Sequence, residues 1–260
     1  SARLVERAGF ALTFLSGFSL SAARYGVPDT GLVSYGEMAA AARDVCAAVT
    51  IPVLGDGDTG YGNALNVKRT VRGYAQAGLA CVMIEDQVAP KRCGHVRGKQ
   101  VVARPEAVTR IRAAVDAREE GADILVMART DALATHGLDE ALWRARAFAD
   151  LGADIVFVEA PTSERELEAV ARAVPVPTMA NLIERGGRTP VVPPARLEAM
   201  GFKLAAYPLT LLNAAVVAMQ SALVELAVGR TPAALLDFSA VCELVGFDAA
   251  EAEGRRYDKG

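Results

Sequence analysis

Residues 51–62 have the sequence IPVLGDGDTGYG, in which an apolar run is followed directly by acidic residues in a glycine-rich turn. Residues 51–55 have the composition of a buried strand, and Asp56 and Asp58 come immediately after it. Carboxylates two positions apart at the end of a strand point in the same direction. Charged groups at the carboxyl end of a strand are typical of a parallel α/β protein whose site lies at that end of the sheet.

The same arrangement recurs along the chain. Further short apolar runs lie at residues 11–16, 81–84, 124–128, 155–158, 176–180 and 204–207. Helical patterns separate them, for example at residues 64–77, 105–119, 138–151 and 163–174. Alternation of this kind predicts a parallel sheet whose strands are connected by helices.

Polar residues follow nearly every predicted strand at its carboxyl end. They are Ser16, Asp56, Asp58, Glu85, Asp86, Arg129, Asp131, Glu159 and Asn181. In an open, doubly wound sheet such residues would be spread along one edge. They meet at a single mouth only if the sheet closes, and that mouth is the active-site face of a barrel. The sequence therefore predicts an α/β protein with a (β/α)8-type TIM barrel.

The number of predicted strands is one short of a complete barrel. We predict seven strands, and a helical pattern at residues 1–8 stands where a first strand should already have passed. Either the first strand is missing from this sequence or the barrel is open on one side. We assign residues 1–229 to the barrel, ending in a long apolar helix at 209–229, and residues 230–260 to a C-terminal helical extension of the same domain.

The composition restricts the class of partner. The formal net charge is -3 and basic residues are scattered, so we expect neither nucleic acid nor a membrane surface as a partner. We also expect no membrane-spanning segment, because no apolar run looks long enough. The four cysteines show no CxxC spacing, which favours a reducing compartment and hence a cytoplasmic location.

The acidic turn is the first candidate for chemistry. Asp56 and Asp58, with Glu85 at the end of the next strand, would bring three carboxylates together. Hard oxygen ligands without nearby histidine or cysteine suit Mg2+, with Mn2+ as an alternative. The competing interpretation is an ordinary Asp-Gly turn. We favour the metal, because three acids on adjacent strand ends are costly without a cation.

The second candidate is the segment PKRCGH at residues 90–95, followed by RGK at 97–99. Cys93 lies beside a lysine and an arginine, which should favour its thiolate form and allow proton exchange at neutral pH. Gly94 and Gly98 would let the segment move as a lid that is poorly ordered without ligand. The competing interpretation is a solvated basic loop with an incidental cysteine.

Other strand-end residues have two interpretations each. Arg129 could bind a substrate carboxylate, or form a salt bridge with Glu159 or Asp131. Ser16 and Gly17 could offer a hydroxyl and backbone N–H groups to a carboxylate, or merely end a strand. His136 is expected in a surface turn.

Several of these motifs together resemble one family, the isocitrate lyase/phosphoenolpyruvate mutase superfamily. The matching segments are LSG at residues 15–17, PD at 28–29, DGDTGYG at 56–62, IEDQ at 84–87, KRCGH at 91–95, ARTD at 128–131, EA at 159–160 and YPL at 207–209. The resemblance extends from about residue 1 to about residue 229, and the lid motif combined with the acidic turn is highly specific.

The resemblance implies an α/β barrel, Mg2+, and homotetramers built by exchanging C-terminal helices. By position, Asp56 and Asp58 would hold the metal, and Glu85 and Asp29 would lie in its water shell. The substrate would be bound by Ser16, Gly17, Phe18, Gly94, His95, Arg129 and Asn181. Cys93 would be the general acid/base, and the other catalytic residues would be Arg129 and Glu159.

Two features depart from the family pattern. Members that cleave tricarboxylic substrates have an arginine four residues after the leucine of their Tyr-Pro-Leu strand end, where this chain has Asn213. That puts a substrate with three carboxylates in doubt. The other departure is the first strand, which in the family precedes the region where this sequence starts.

The expected function follows from the resemblance together with the residues present. We expect a Mg2+-dependent carbon–carbon lyase that cleaves a substituted malate, or a related 2-hydroxy dicarboxylate, to an oxo acid and a carboxylate. The alternatives are an oxaloacetate hydrolase or decarboxylase and a phosphonomutase of the carboxyphosphonoenolpyruvate type. A barrel that binds a dicarboxylate without turnover is disfavoured by the presence of Cys93, Asp56, Asp58 and Arg129.

Overall fold

The structure, a computed structural model, describes residues 1–95 and 98–258. Within that part of the chain, seven parallel strands form a nearly closed barrel in which each strand pairs with the next along the sequence. The strands are β1 Thr13–Leu15, β2 Val53–Asp56, β3 Cys81–Glu85, β4 Leu125–Thr130, β5 Ile155–Val158, β6 Thr178–Asn181 and β7 Leu204–Ala206. The predicted fold class and the predicted number of strands are confirmed.

Helices connect the strands and follow them. They are α1 Ala2–Arg7, α2 Gly17–Leu20 with a π-helical turn Ser21–Tyr25, α3 Tyr35–Ala48, α4 Ala64–Gln76, α5 Arg104–Glu119, α6 Ala132–His136, α7 Leu138–Asp150, α8 Glu164–Ala171, α9 Pro194–Met200, α10 Thr210–Ala227, α11 Phe238–Val245 and α12 Phe247–Arg255. The helical patterns between the predicted strands correspond to α4, α5, α7 and α8, with ends that differ by a few residues.

Four of the described helices were not predicted. One is α3, although Ser34 and Glu37 form a sequence signal for its start. The Ser34 hydroxyl accepts the Glu37 N–H at 3.4 Å, and the Glu37 carboxylate accepts the Ser34 N–H at 2.7 Å. This reciprocal capping box is a recognised helix start. The others are α2, α6 and α9, and His136, which was expected in a surface turn, is exposed but is the last residue of α6.

The strands place an apolar layer directly beneath a polar mouth. Side chains two positions apart on a strand share a face, and five strands carry an apolar residue followed two positions later by a polar one. The pairs are Leu54 and Asp56, Met83 and Glu85, Met127 and Arg129, Phe157 and Glu159, and Met179 and Asn181. The apolar members pack together in the barrel interior. The polar members therefore lie directly above a packed apolar layer.

A second, larger apolar cluster lies between the strands and the surrounding helices. Its fully buried members include Val82, Ile84, Val126 and Val156 on the strands and Val71, Tyr74, Ile111, Phe148 and Leu167 on the helices. Strands that are buried on both faces are typical of parallel sheets. This double burial fixes the strand ends on which the polar residues stand.

Contacts divide the chain into two compact units, residues 1–210 and 211–260. The boundary predicted at residue 229 was placed at the end of the long apolar helix, whereas this division follows packing alone. The second unit contains most of α10 together with α11 and α12. The expectation that no segment is long and apolar enough to span a membrane is wrong for α10, whose 18 residues have a mean hydropathy of 1.5. One such helix is weak evidence for a membrane span, since helices of soluble proteins have the same composition.

Candidate active site

The acidic cluster predicted from the sequence lies at the carboxyl ends of β2 and β3, with a lysine inside it. The Lys91 ammonium is 2.6 Å from Asp29 Oδ1 and 2.7 Å from Asp58 Oδ1. Burial alone would lower the pKa of Lys91, but the carboxylates of Asp56, Asp58, Glu85 and Asp29 outweigh it and raise the pKa well above the ordinary value. One ammonium group therefore faces four carboxylates.

This positive charge does not balance the cluster. Burial, and then the neighbouring Asp56, raise the pKa of Asp58 to about 7. Burial also raises the pKa of Glu85, and Glu85 Oε1 has no hydrogen-bond partner among the described residues. A buried carboxylate oxygen without a partner is costly. The cluster therefore lacks positive charge or hydrogen-bond donors.

The donor set fits a hard divalent cation. Every available ligand atom is a carboxylate oxygen, which is the preference of Mg2+. In the described part of the chain, no three carboxylate, imidazole or thiol groups stand around one point closely enough to hold a metal ion. The Lys91 ammonium lies between Asp29 and Asp58. The residues fit the ion by chemistry, and Lys91 would have to yield to it.

Arg129 at the end of β4 is surrounded by carboxylates. Its Nε is 2.9 Å from Asp131 Oδ2 and 3.2 Å from Glu85 Oε2, and its Nη2 is 3.1 Å from Glu159 Oε2. Burial would raise the pKa of Glu159, but the Arg129 charge and a hydrogen bond from His95 hold it below its ordinary value. Both salt bridges that the sequence left as the alternative interpretation are present. The guanidinium is nevertheless held at the mouth, where a substrate carboxylate would arrive.

The described part of the predicted lid, residues 91–95 together with 98 and 99, lies across the strand ends. A Cβ added at Gly94 would overlap the Glu159 carboxylate and the Arg129 guanidinium, so only glycine allows this approach. His95 Nε2 is 3.1 Å from Glu159 Oε1. The segment thus occupies the position expected of a closed lid. Its opening stays a prediction, and Val96 and Arg97 lie outside the described residues.

A backbone contact fixes the tautomer of the lid histidine. The Arg188 N–H donates to His95 Nδ1 at 3.1 Å, so Nδ1 is an acceptor and Nε2 carries the proton of the neutral ring. Nε2 then donates to Glu159. Asn181 at the end of β6 donates to both Glu159 oxygens at 3.3 Å. Glu159 therefore joins the lid to β4 and β6.

Cys93 is half-buried on the lid, and its protonation state differs from the sequence-based expectation. Burial raises the pKa of the thiol above its ordinary value, and Asp29 and Glu159 add to the effect. The expected stabilisation of a thiolate by flanking basic residues is therefore wrong, because the Lys91 charge is directed into the acidic cluster. A thiol with a raised pKa stays protonated at neutral pH and is suited to donating a proton.

The loop after β1 borders the acidic cluster from the other side. The Gly17 N–H donates to Asp56 Oδ2 at 3.1 Å, and the Ser16 hydroxyl accepts the Ser19 N–H at 3.3 Å, capping α2. Phe18 is half-buried in the same helix. Gly17 therefore lies against the candidate metal ligands. The Ser16 hydroxyl has a structural partner and remains a possible donor to a carboxylate.

Asp86 was identified from the sequence as a strand-end residue and Gln87 as part of a family motif, but neither residue was given a role in holding the lid or the strand ends. The Gln87 side-chain amide donates to the Arg92 carbonyl and accepts the Arg92 N–H, both at 2.9 Å. Asp86 accepts the Thr130 hydroxyl at 2.6 Å and Arg144 Nη1 at 3.0 Å. The signals in the sequence were the position of Asp86 and Gln87 directly after a strand and their place in the IEDQ motif at residues 84–87.

Comparisons with known proteins agree with this arrangement. The profile of the family described as phosphoenolpyruvate phosphomutase matches residues 1–227. A 2,3-dimethylmalate lyase of Eubacterium barkeri is 41% identical over 264 residues, covering 100% of this chain and 91% of that protein. A crystal structure of a 2,3-dimethylmalate lyase, described as a member of the PEP mutase/isocitrate lyase superfamily, has a TM-score of 0.94 and 37% identity, covering 99% of this chain and 87% of that chain.

Two further solved structures bear on the chemistry. Oxaloacetate acetylhydrolase in complex with 3,3-difluorooxalacetate has a TM-score of 0.95 and 34% identity, covering 100% of this chain and 90% of that one. Phosphonopyruvate hydrolase in complex with oxalate and Mg2+ has a TM-score of 0.87 and 31% identity, covering 99% and 90%. The family profile, the similar enzymes and the strand-end residues agree. The chain is therefore an enzyme of the phosphoenolpyruvate phosphomutase family, within the isocitrate lyase/phosphoenolpyruvate mutase superfamily.

Proposed function

We propose that the protein is a Mg2+-dependent carbon–carbon lyase that cleaves a 2-substituted malate to an oxo acid and a carboxylate. The observation that carries the proposal is the close approach of Gly94, the residue after Cys93, to Arg129 and Glu159, at the same mouth as the acidic cluster around Lys91. Cleavage of this type needs a cation beside the hydroxyl group and a proton donor beside the departing carbon. The site offers candidates for both.

The residues divide the work between the two sides of the mouth. Asp56 and Asp58, with Glu85 and Asp29 around them, would hold Mg2+, which when bound neutralises charge on the substrate's hydroxyl and carboxylate oxygens. The Glu159 carboxylate, whose pKa is held below its ordinary value, would accept the proton of the substrate hydroxyl. The C2–C3 bond then breaks, and its electrons leave a carbonyl on one fragment and an enediolate on the other. Arg129 stabilises the negative charge that develops on the enediolate oxygens. The Cys93 thiol then donates its proton to the enediolate carbon.

The lid contributes by excluding water. An enediolate exposed to solvent is protonated without control, so the segment must be closed before the bond breaks. Gly94 and His95 hold the closed position through Glu159. The departure from the family pattern at Asn213 supports a substrate with two carboxylates rather than three.

Hydrolysis or decarboxylation of oxaloacetate is the second candidate. Both reactions produce enolates related to the enediolate of the lyase reaction. The similarity to an oxaloacetate acetylhydrolase structure supports this candidate. A phosphonomutase of the carboxyphosphonoenolpyruvate type is the third, because the matched family is described as a phosphomutase. Neither phosphoryl migration nor simple binding needs a thiol proton donor on the lid.

A panel of substrates decides among these reactions. The protein would be assayed with 2-alkylmalates and 2,3-dialkylmalates, oxaloacetate, phosphonopyruvate and carboxyphosphonoenolpyruvate, each with Mg2+ and after its removal by a chelator. We expect oxo-acid release from a substituted malate, only with the metal. Turnover of oxaloacetate or of a phosphonate alone would move the protein to the corresponding alternative.

The metal site has its own test in Asp58→Asn. Asp58 has a φ of 48°, which asparagine tolerates, so the change removes charge with little strain. Because burial beside Asp56 makes the Asp58 charge costly, the variant should be at least as stable as wild type in the absence of metal. We expect Mg2+ affinity, measured by calorimetry, and activity to fall together. Unchanged Mg2+ binding would contradict the assignment.

The assembly and location are part of the same proposal. The helices α10 to α12 expose many large apolar side chains, including Leu223, Val224, Phe238 and Phe247. Such a surface supports their burial in a homotetramer by exchange of C-terminal helices. A small-molecule oxo or hydroxy acid as the partner and a cytoplasmic location agree with the scattered charge and the few cysteines.

A further inference from the structure

Lys99 is a buried lysine at the end of the lid whose ammonium is directed inward. Its side chain is 3% exposed, and Nζ donates to the Gly94 carbonyl and to Asp131 Oδ1, each at 2.6 Å. Removing an ammonium group from water is expensive unless its partners replace the lost hydration. The two short contacts supply that replacement. The buried ammonium is therefore stable only where it contacts both the Gly94 carbonyl and Asp131.

The carboxylate that Lys99 contacts is the one that orients Arg129. Asp131 accepts Arg129 Nε at 2.9 Å and Nη2 at 3.1 Å, a bidentate contact. Asp131 is fully buried, and its own N–H donates to Asp86 Oδ1 at 2.9 Å. Lys99 thus reaches a carboxylate that is itself fixed on two sides.

The carbonyl that Lys99 contacts belongs to the residue after the candidate proton donor. Gly94 follows Cys93 directly, and it is also the residue whose Cα lies against Glu159 and Arg129. A hydrogen bond to the Gly94 carbonyl fixes the orientation of that peptide plane. That plane joins Gly94 to His95, so Lys99 and Asp131 restrain the backbone immediately after Cys93 and, through it, the place of Cys93 relative to Arg129.

We propose that Lys99 is a positioning residue that locks the lid backbone at Gly94 to the Asp131–Arg129 pair and thereby places the Cys93 thiol over the reacting carbon. The role of the thiol in this statement rests on the proposed lyase function, but the lock between lid and barrel does not. Lys99 has no contact with Asp56 or Asp58 among its hydrogen bonds and ion pairs in the described part of the chain. It should therefore act on catalysis and lid closure and leave metal binding unchanged.

The test compares Lys99→Met with Lys203→Met. Methionine keeps the length of the apolar stem and removes the ammonium. Lys203 is an exposed lysine immediately before β7 and serves as the matched control. The readouts are kcat and KM for the substrate found in the panel, Mg2+ affinity by calorimetry, and the rate at which iodoacetamide alkylates Cys93 without substrate, followed by peptide mass spectrometry.

For Lys99→Met we expect kcat to fall about 100-fold, the usual effect of a catalytic group displaced by about 1 Å. KM and Mg2+ affinity should change little. Cys93 should be alkylated several-fold faster, because the lid is released. Lys203→Met should match the wild type in every measurement. If Lys99→Met does not fold, Lys99→Gln replaces it, since the polar amide is tolerated beside Asp131 but is uncharged and one bond too short to reach Gly94 and Asp131 together.

The outcomes separate the two proposals. Faster alkylation of Cys93 in a folded Lys99 variant supports the lock even if no lyase activity is found in the wild type, in which case only the lyase proposal fails. Wild-type rates of both alkylation and turnover in the variant overturn the positioning role. A loss of Mg2+ affinity equal to that of Asp58→Asn would also overturn it, because the effect would then come from the acidic cluster.

Discussion

The thiol of Cys93 is the residue on which the proposed chemistry depends. Cys93→Ser keeps the shape of the side chain but makes the group a much weaker acid. We expect kcat to fall about 100-fold or more, the range for a lost general acid, with KM nearly unchanged. Because burial raises the thiol pKa above its ordinary value, loss of the thiol proton should make wild-type kcat decline on the alkaline side, as pH rises through that raised pKa.

The measurement is steady-state kinetics of both proteins across a pH series. Cys46→Ser is a suitable control, because Cys46 is a half-buried cysteine of α3. A Cys93→Ser variant with wild-type kcat would remove the thiol from the mechanism.

At the scale of single residues, the sequence predicted which groups meet but not how their charges are balanced. Asp56, Asp58, Glu85 and Arg129 were identified because each ends a strand. The partner of the acids, Lys91, was assigned to the thiol because it is close to it in sequence. Closeness along a loop does not show which way a side chain points, and the Lys91 side chain extends to Asp29 and Asp58.

Closure of the lid can be tested by adding one methyl group to it, in the substitution Gly94→Ala. In Gly94→Ala, the added Cβ would overlap the Glu159 carboxylate and the Arg129 guanidinium, so the segment cannot settle on the strand ends. We expect kcat to fall about 100-fold and the melting temperature to stay within a few degrees of wild type. Activity and thermal unfolding would be measured together.

The matched control for this change is Gly36→Ala. Gly36 lies in α3, where an added Cβ has only the Ser34 hydroxyl oxygen near it, at 3.9 Å. Alanine in a helix should be neutral or slightly stabilising. Full activity of Gly94→Ala would show that the closed position is not needed for turnover.

Strands were predicted better than loops, and the reason is periodicity. A strand buried on both faces is a continuous apolar run, and β3, β4 and β5 each contain such a run. The contacts of Gln87, Lys99 and Asp86 join residues whose spacing follows no period. Their partners depend on the path of the chain after β3, which local sequence does not determine.

For the whole molecule, the apolar surface of the C-terminal helices predicts its assembly. Leu223 and Val224 of α10 are each 63% exposed within one chain. Leu223→Glu with Val224→Glu would place two charges on that surface, which is costly if it is buried between subunits. We expect the wild type to sediment as a tetramer and the double variant as a smaller species.

Leu65→Glu is the control for this change, because Leu65 is an exposed leucine of α4, 74% accessible. Its sedimentation should match the wild type. A monomeric wild type would contradict the proposed exchange of helices.

The order of strand pairing has a consequence for how the protein is made. Every strand pairs with its immediate neighbour in the sequence, from β1 with β2 to β6 with β7. Each new strand that leaves the ribosome therefore finds its partner already synthesised, and no strand has to wait for a distant segment. The barrel can grow in one direction, one unit at a time. The mouth becomes complete only late in translation, when Asn181 joins Glu159. Most of the barrel can therefore form before the candidate active site is complete.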